Sequence, residues 1–300
     1  MNYMDRFKGR NIGLVERVGA RVATWPLPSG VRAMVKLLFH QCLQFVAQGE
    51  GIPCTMPHGE IVRVKPTHRS MSWDRLEYEA FKKCVRPGDI VLDVGANVGA
   101  YSTLFGQWVI PGGRVFAFEP IPSVCTVLKD HVRINRLQNV VTIVPVAVSD
   151  RQGTVAMIGA ENSGCSRVAN RAEIACGPNL LQVDSITLDA FCSAKGLLPN
   201  CLKIDVEGFE VNVLRGAREI IGQVSSEVAI FVELHPTRWP LLGTSKDELL
   251  DELRIQGLSF CTLNLSTPSW DEDWVYVRLV KGNDGMRQTP YRGSSSTDHS

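Results

Sequence analysis

The chain has 300 residues, 44% of them hydrophobic, with a formal net charge of +1. That length and apolar content suffice for one large domain with an extension, while the near-neutral balance offers no basic face for a nucleic acid. The nine cysteines are odd in number and form no C-x-x-C pair, which suggests neither a disulfide framework nor a zinc site. The first ten residues carry no apolar core of a secretory signal, and no apolar run reaches spanning length. The expectation is therefore a cytoplasmic protein without a transmembrane segment.

In chain order, residues 12–23 and 31–47 read as helices separated by the breaker Trp25-Pro26-Leu27-Pro28-Ser29-Gly30. Val31, Met34, Val35, Leu38, Cys42, Phe45 and Val46 follow a helical period, so this stripe is expected to pack on the main domain, with a membrane-surface or lid role as alternatives. Residues 52–56 and 60–65 read as a hairpin. Asp74-Arg75-Leu76-Glu77 has capping-box spacing for a helix that ends before Pro87-Gly88. From Asp89 the chain alternates strands (90–94, 114–118, 140–145, 202–206, 228–234) with helices (101–109, 123–135, 209–221). Such alternation predicts an α/β fold, a doubly wound and mostly parallel sheet. A less regular stretch, 150–200, contains a possible strand at 153–158 and a polar loop at 159–166. A helix at 245–256 and an antiparallel pair at the sheet edge, 258–263 and 274–280, close the domain. The expected division is 1–73 as a helical and hairpin extension, 74–282 as the main domain and 283–300 as a disordered tail.

The chemistry gathers at the strand ends. Val91-Leu92-Asp93-Val94-Gly95-Ala96-Asn97-Val98-Gly99 reads as a buried strand, a glycine turn and a helix start whose first N–H groups are unpaired. A dinucleotide turn needs G-x-G-x-x-G, but Asn97 and Ala100 stand where its later glycines belong. The spacing suits a smaller ligand, S-adenosylmethionine. The missing third glycine argues against a nicotinamide-dependent oxidoreductase. The next strand ends in Phe118-Glu119-Pro120, whose carboxylate suits a pair of ribose hydroxyls. The segment Val144–Asp150 offers an apolar lip for adenine, with Ala147 at its edge.

Leu202-Lys203-Ile204-Asp205-Val206-Glu207-Gly208 and Glu233-Leu234-His235 end the fourth and fifth strands. Period-two alternation places Lys203, Asp205 and Glu207 on one face, and neighbouring strand ends bring Glu233 and His235 beside them. An attacking alcohol must lose its proton, so Asp205 or His235 is the expected general base, with Glu207 and Glu233 as orienting groups or as ligands of a divalent metal. Alternatively, Asp205 simply pairs with Lys203 and Glu207 caps the following helix.

Taken together, these runs, with Phe209-Glu210, Leu214-Arg215-Gly216-Ala217 and Val232-Glu233-Leu234-His235 in the same order, resemble the FkbM-type S-adenosylmethionine-dependent methyltransferases over residues 74–236. The resemblance implies a class I (Rossmann-like) methyltransferase fold and O-methylation of a sugar, glycan or polyketide-type small molecule. It also implies that Asp93, Gly95, Asn97, Gly99, Tyr101, Glu119 and Ala147 surround the cofactor. Asp205, Glu207, Glu233 and His235 would face the acceptor. Non-catalytic cofactor binding and methylation of a protein or nitrogen acceptor are the alternatives.

Overall fold

The computed structural model describes residues 28–282 except 32–33, 36, 39–40, 42–46, 48, 159–166, 171–172, 175–179, 224–227 and 264–269. The expected helix at 12–23, the polar loop at 159–166 and the tail lie outside the described residues. A hairpin of β1 (Ile52–Thr55) and β2 (Ile61–Val64) precedes α1 (Arg75–Cys84). The main body then alternates β3 (Ile90–Val94), α2 (Ala100–Trp108), β4 (Arg114–Phe118), α3 (Pro122–Ile134) and β5 (Val141–Val144). After an inserted small sheet come α4 (Leu188–Lys195), β10 (Cys201–Ile204), α5 (Glu210–Arg215), α6 (Arg218–Gln223) and β11 (Ala229–Leu234). The chain closes with α7 (Trp239–Leu242), α8 (Lys246–Ile255), β12 (Leu258–Thr262) and β13 (Val275–Lys281).

Seven strands form the central sheet in the order β12-β13-β11-β10-β3-β4-β5. All neighbours pair in parallel except β13, which runs antiparallel to both β11 and β12. This is the expected doubly wound, mostly parallel Rossmann-like sheet. The closing strands are antiparallel as read, but only β12 lies at the edge, because β13 inserts between β12 and β11. Strands β3 and β10 are covered on both faces, so they read as apolar runs rather than alternating ones. On one side Phe81 of α1 sits edge-on to Tyr101, Phe105 and Phe231, with ring centroids 4.8 to 5.1 Å apart.

The segment between β5 and α4 builds a second sheet, β6-β9-β7-β8, from β6 (Ala147–Val148), β7 (Gly153–Ile158), β8 (Arg167–Val168) and β9 (Leu181–Ile186). Only β7 was legible as a strand. The single helix expected at 209–221 is two helices split at Gly216. A Cβ there would lie 2.0 Å from the Ser149 carbonyl oxygen, and the Gly216 carbonyl accepts from the Asp189 N–H, so the chain breaks where it meets its neighbour.

In the helix expected at 31–47, Cys42, Phe45 and Val46 of the apolar stripe lie outside the described residues. The described residues between 29 and 47 are helical, yet Met34, Leu37 and Leu38 are more than half exposed. The hairpin, by contrast, is docked on α3. The Asn135 side chain exchanges hydrogen bonds with the Arg63 backbone, and the Lys65 N–H donates to His131 Nε2 at 3.0 Å. His131 in turn donates from Nδ1 to the Val98 carbonyl at 2.7 Å, which ties the hairpin to the glycine turn. Burial holds this imidazole down at about 4, so it stays in the one neutral tautomer that both partners require.

Candidate active site

The glycine turn is shaped by backbone geometry. Gly95, Asn97 and Gly99 have φ of 80°, 49° and 90°, in the left-handed region. The Gly95 and Ala96 N–H groups both donate to the Phe118 carbonyl, so the turn is clamped to the end of β4. A Cβ on Gly95 would lie 1.7 Å from the Asp205 carbonyl oxygen. The chain end of β10 therefore passes directly beneath the turn.

A pocket with about 660 Å³ of empty space, mouth included, opens between these strand ends. Its lining includes Gly95, Asn97, Glu119, Ala147, Asp205 and Glu207. Glu119 is 5% exposed and accepts from the Asn97 N–H at 3.0 Å and the Ile121 N–H at 2.9 Å, one on each oxygen. Each oxygen keeps lone-pair capacity for a further donor. Burial pushes this carboxyl up to about 7. A folded-state value above the ordinary 4.5 means that the stability carried by its proton is complete below about pH 4.5 and is lost as pH rises through about 7. A ligand that donates two hydroxyls to the ionised carboxylate reverses this. Its binding is expected to release a proton and to tighten as pH rises from about 6 to 8, an effect absent in Glu119→Gln; titration calorimetry in buffers of different ionisation enthalpy checks both.

Asp93, Gly99 and Tyr101 are not among the lining residues. Asp93 is fully buried, accepts from the Ser102 hydroxyl at 2.5 Å and lies 3.6 Å from Lys203 Nζ. Gly99 is the N-cap of α2, and its missing Cβ leaves room for Leu128. Tyr101 packs on Phe81 and under the Lys203 ammonium. Their place is behind the pocket wall, where they shape it.

At the other end of the pocket the acidic residues meet, though not by strand alternation. Strand β10 stops at Ile204, and the turn through Glu207 (φ 55°) and Gly208 (φ 104°) sets the carboxylates. Lys203, 3% exposed, holds Asp205 Oδ2 at 3.2 Å. Burial opposes its charge, but Asp205, Asp93, Glu77 and Glu233 outweigh burial and raise it. Burial likewise acts against an ionised Asp205, and Lys203 and His235 overcome it, so Asp205 is held low. Glu233, hydrogen-bonded to Asp205, is pushed far up by burial and by the Asp205 charge, and carries the proton of that pair.

His235 is 3% exposed. Its Nδ1 lies 2.8 Å from Glu210 Oε1, and its Nε2 lies 3.2 Å from Glu207 Oε2 and 3.8 Å from Glu233 Oε1. Burial works against the imidazolium, but the hydrogen bond to Glu210 prevails and raises it. Glu207 is also paired with Arg238 at 2.6 Å. Sequence reasoning passed over Glu210 as a site residue. It is fully buried and accepts from the Gly208 N–H, His235 and the Trp239 indole, all between 2.7 and 2.8 Å. Its signal was a carboxylate inside an otherwise apolar helix face, which a protein buries only when donors surround it. Glu77 of α1 also turns inward toward Lys203 and Tyr101, and burial raises it.

The donor set fits S-adenosylmethionine. One carboxylate suits a diol, a turn brings bare backbone close, and carboxylates outnumber the cations Lys203 and Arg238 where a sulfonium charge would lie. Separately, Asp205, Glu233 and His235 offer ligand atoms within 4.8 Å of one another, a donor set that a divalent ion also accepts.

The family model of the methyltransferase FkbM domain matches residues 93–260. Among curated proteins, the chain is 41% identical over 59 residues to a protein-L-isoaspartate O-methyltransferase of Aeropyrum pernix, covering 20% of this chain and 23% of that one. It is 42% identical over 69 residues to the 31-O-demethyl-FK506 methyltransferase FkbM of Streptomyces tacrolimicus, covering 23% and 25%. The longest of these matches is to the hexuronic acid methyltransferase AglP of Haloferax volcanii, 28% identical over 193 residues, 63% of this chain and 70% of that protein. The chain thus spans about a quarter of the first two relatives.

Proposed function

Since the chain belongs to the FkbM methyltransferase family, we propose that it is an S-adenosylmethionine-dependent O-methyltransferase whose acceptor is a hydroxyl of a sugar, glycan or polyketide-type small molecule. The observation that carries this reading is one pocket with a diol-binding carboxylate, Glu119, at one end and the ionised Asp205 at the other. Two of the three named relatives, the 31-O-demethyl-FK506 methyltransferase and the hexuronic acid methyltransferase, support a small-molecule or sugar acceptor, while the third is a protein-L-isoaspartate O-methyltransferase.

Gly95, Asn97, Glu119 and Ala147 would hold the cofactor, with Asp93, Gly99 and Tyr101 supporting them. When bound, S-adenosylmethionine supplies a methyl group on a positively charged sulfur. Asp205 lines the pocket and takes the hydroxyl proton as the acceptor oxygen gains the methyl. Lys203 keeps Asp205 ionised and aimed, and Glu233 donates to it from the side. His235 is the weaker candidate for the base, because both ring nitrogens face carboxylates and Glu210 favours its protonated form. It serves instead as a strut between Glu207 and Glu210.

Calorimetry with S-adenosylmethionine and S-adenosylhomocysteine, with and without EDTA, is the first test, followed by mass spectrometry of acceptor mixtures for one added methyl. Asp205→Asn is expected to keep cofactor affinity within about threefold and to lower the methylation rate by about a hundredfold or more. Loss of cofactor binding in that variant would make Asp205 a cofactor ligand rather than the base. The Asp205, Glu233 and His235 grouping supports a second, metal-assisted reading. Lys203 already supplies the cation beside Asp205, so EDTA is expected to leave activity unchanged; activity lost with EDTA and restored by a divalent ion would favour the metal.

Among the described residues no helix is long and apolar enough to cross a membrane. For the hairpin at 52–64 we propose a packing role, because it is fastened to α3 and through His131 to the glycine turn.

A further inference from the structure

We infer that the helical segment between residues 29 and 47 is a docking surface for a lipid bilayer rich in anionic headgroups. It lies on the bilayer and does not cross it. The inference is independent of the donor reading above, since it uses no residue of the pocket. Its first support is exposure. At 100° per residue Val31, Met34, Leu37 and Leu38 fall within about 120° of arc, so they share one face of the helix. All four are between 40% and 60% exposed. At the other end Ala47 is buried, and its carbonyl accepts from the Glu50 N–H where the chain turns toward β1. The segment thus joins the body at its carboxyl end and offers a row of large apolar side chains to solvent at its amino end, a feature that marks an interaction site.

The second support is charge, and it selects the occupant. Of the 32 Lys and Arg and the 31 Asp and Glu in the chain, seven and two lie in residues 1–49. The remainder of the chain is net acidic, so the small positive balance of the whole protein conceals a basic amino-terminal segment. Arg32 and Lys36 fall in sequence between the exposed apolar positions. Apolar side chains and positive charge in one helical segment match the boundary of an anionic leaflet, where acyl chains receive the former and headgroup phosphates the latter. A nucleic acid would answer the charge but leave the apolar face in water. A second copy of the chain would cover the face but bring two basic segments together, which like-charge repulsion opposes.

The test is co-sedimentation of the full chain with vesicles of phosphatidylcholine alone and of a phosphatidylcholine–phosphatidylglycerol mixture. Wild-type protein is expected to partition about tenfold or more in favour of the anionic vesicles, and added salt to remove most of that preference. Met34→Glu combined with Leu38→Glu is expected to lower partition onto anionic vesicles by about a hundredfold, and Arg32→Gln combined with Lys36→Gln by about tenfold. Met34→Leu, which keeps the face apolar, is expected to stay within about twofold. Thermal melts confirm that each variant is folded. Wild-type protein that binds neither vesicle overturns the inference, as does partition unchanged in both double variants. Sedimentation velocity and a labelled DNA duplex cover the other occupants. A dimer dissolved by Met34→Glu with Leu38→Glu, or duplex binding lost in Arg32→Gln with Lys36→Gln, overturns the inference when vesicle binding is absent.

Discussion

Gly95→Ala is expected to abolish cofactor binding and to destabilise the fold, whereas Gly88→Ala is expected to lose only about 1–2 kcal/mol. The two glycines have similar backbones, with φ of 80° and 90°, so alanine meets the same left-handed strain at both. Their surroundings differ. A Cβ at Gly88 meets nothing within 4 Å, while at Gly95 it falls 1.7 Å from the Asp205 carbonyl oxygen. The clash cannot be relieved by rotating a side chain, because the Asp205 carbonyl is backbone. Relief requires the ends of β3 and β10 to part, and that separates the turn from Asp205. Urea denaturation of both variants isolates the clash from the shared strain. Equal losses at the two positions would mean that the strand ends are not packed as described.

Lys203→Met is expected to lose about 3–5 kcal/mol at pH 7.5, with the deficit shrinking as pH falls toward 5. The ammonium is buried among Asp205, Asp93, Glu77 and Glu233, and it is the group that holds Asp205 low. Removing it leaves like charges facing one another in a dry interior. The sign follows from linkage. Without Lys203 the folded-state carboxyls rise above their unfolded values, so the folded protein binds more protons than the unfolded chain and recovers stability as pH drops. Denaturant midpoints at pH 7.5 and pH 5.5 measure this. A deficit that is constant or grows with acid would place the cation's importance in packing rather than in charge.

Much of the fold was legible because parallel strands buried on both faces announce themselves as apolar runs, as at β3 and β10. The places of Gly95 and Glu119 were legible for a related reason. Gly95 and Glu119 sit at strand ends fixed by the sheet, so their spacing carries their position. The acidic half was less so. Asp205 and Glu207 were assigned to one face by alternation, but the strand stops at Ile204 and a left-handed turn places them. Lys203 read as an ordinary ion-pair partner of Asp205, since nothing local reveals that Asp93, Glu77 and Glu233, from three other elements, converge on it as well. The small sheet was missed at β6 and β8, which are only two residues long, and also at the six-residue β9. The apolar stripe near residue 34 follows a helical period whether or not anything covers it, and periodicity alone cannot distinguish the two cases.

The position of β13 bears on how the chain can be made. Strand β12 contacts the sheet only through β13, and β11 has β13 on its outer side. During synthesis from the amino end, the β10–β11 half of the sheet must therefore wait with an open, apolar edge until residue 281 has been added, after the strand-end carboxylates already exist. Pairing β11 with a strand some forty residues later is a long-range step that sets a slow closing phase. A nascent chain held short of β13 would present β11 to any strand at hand, so the hazard of misassembly is concentrated in the last moments of translation.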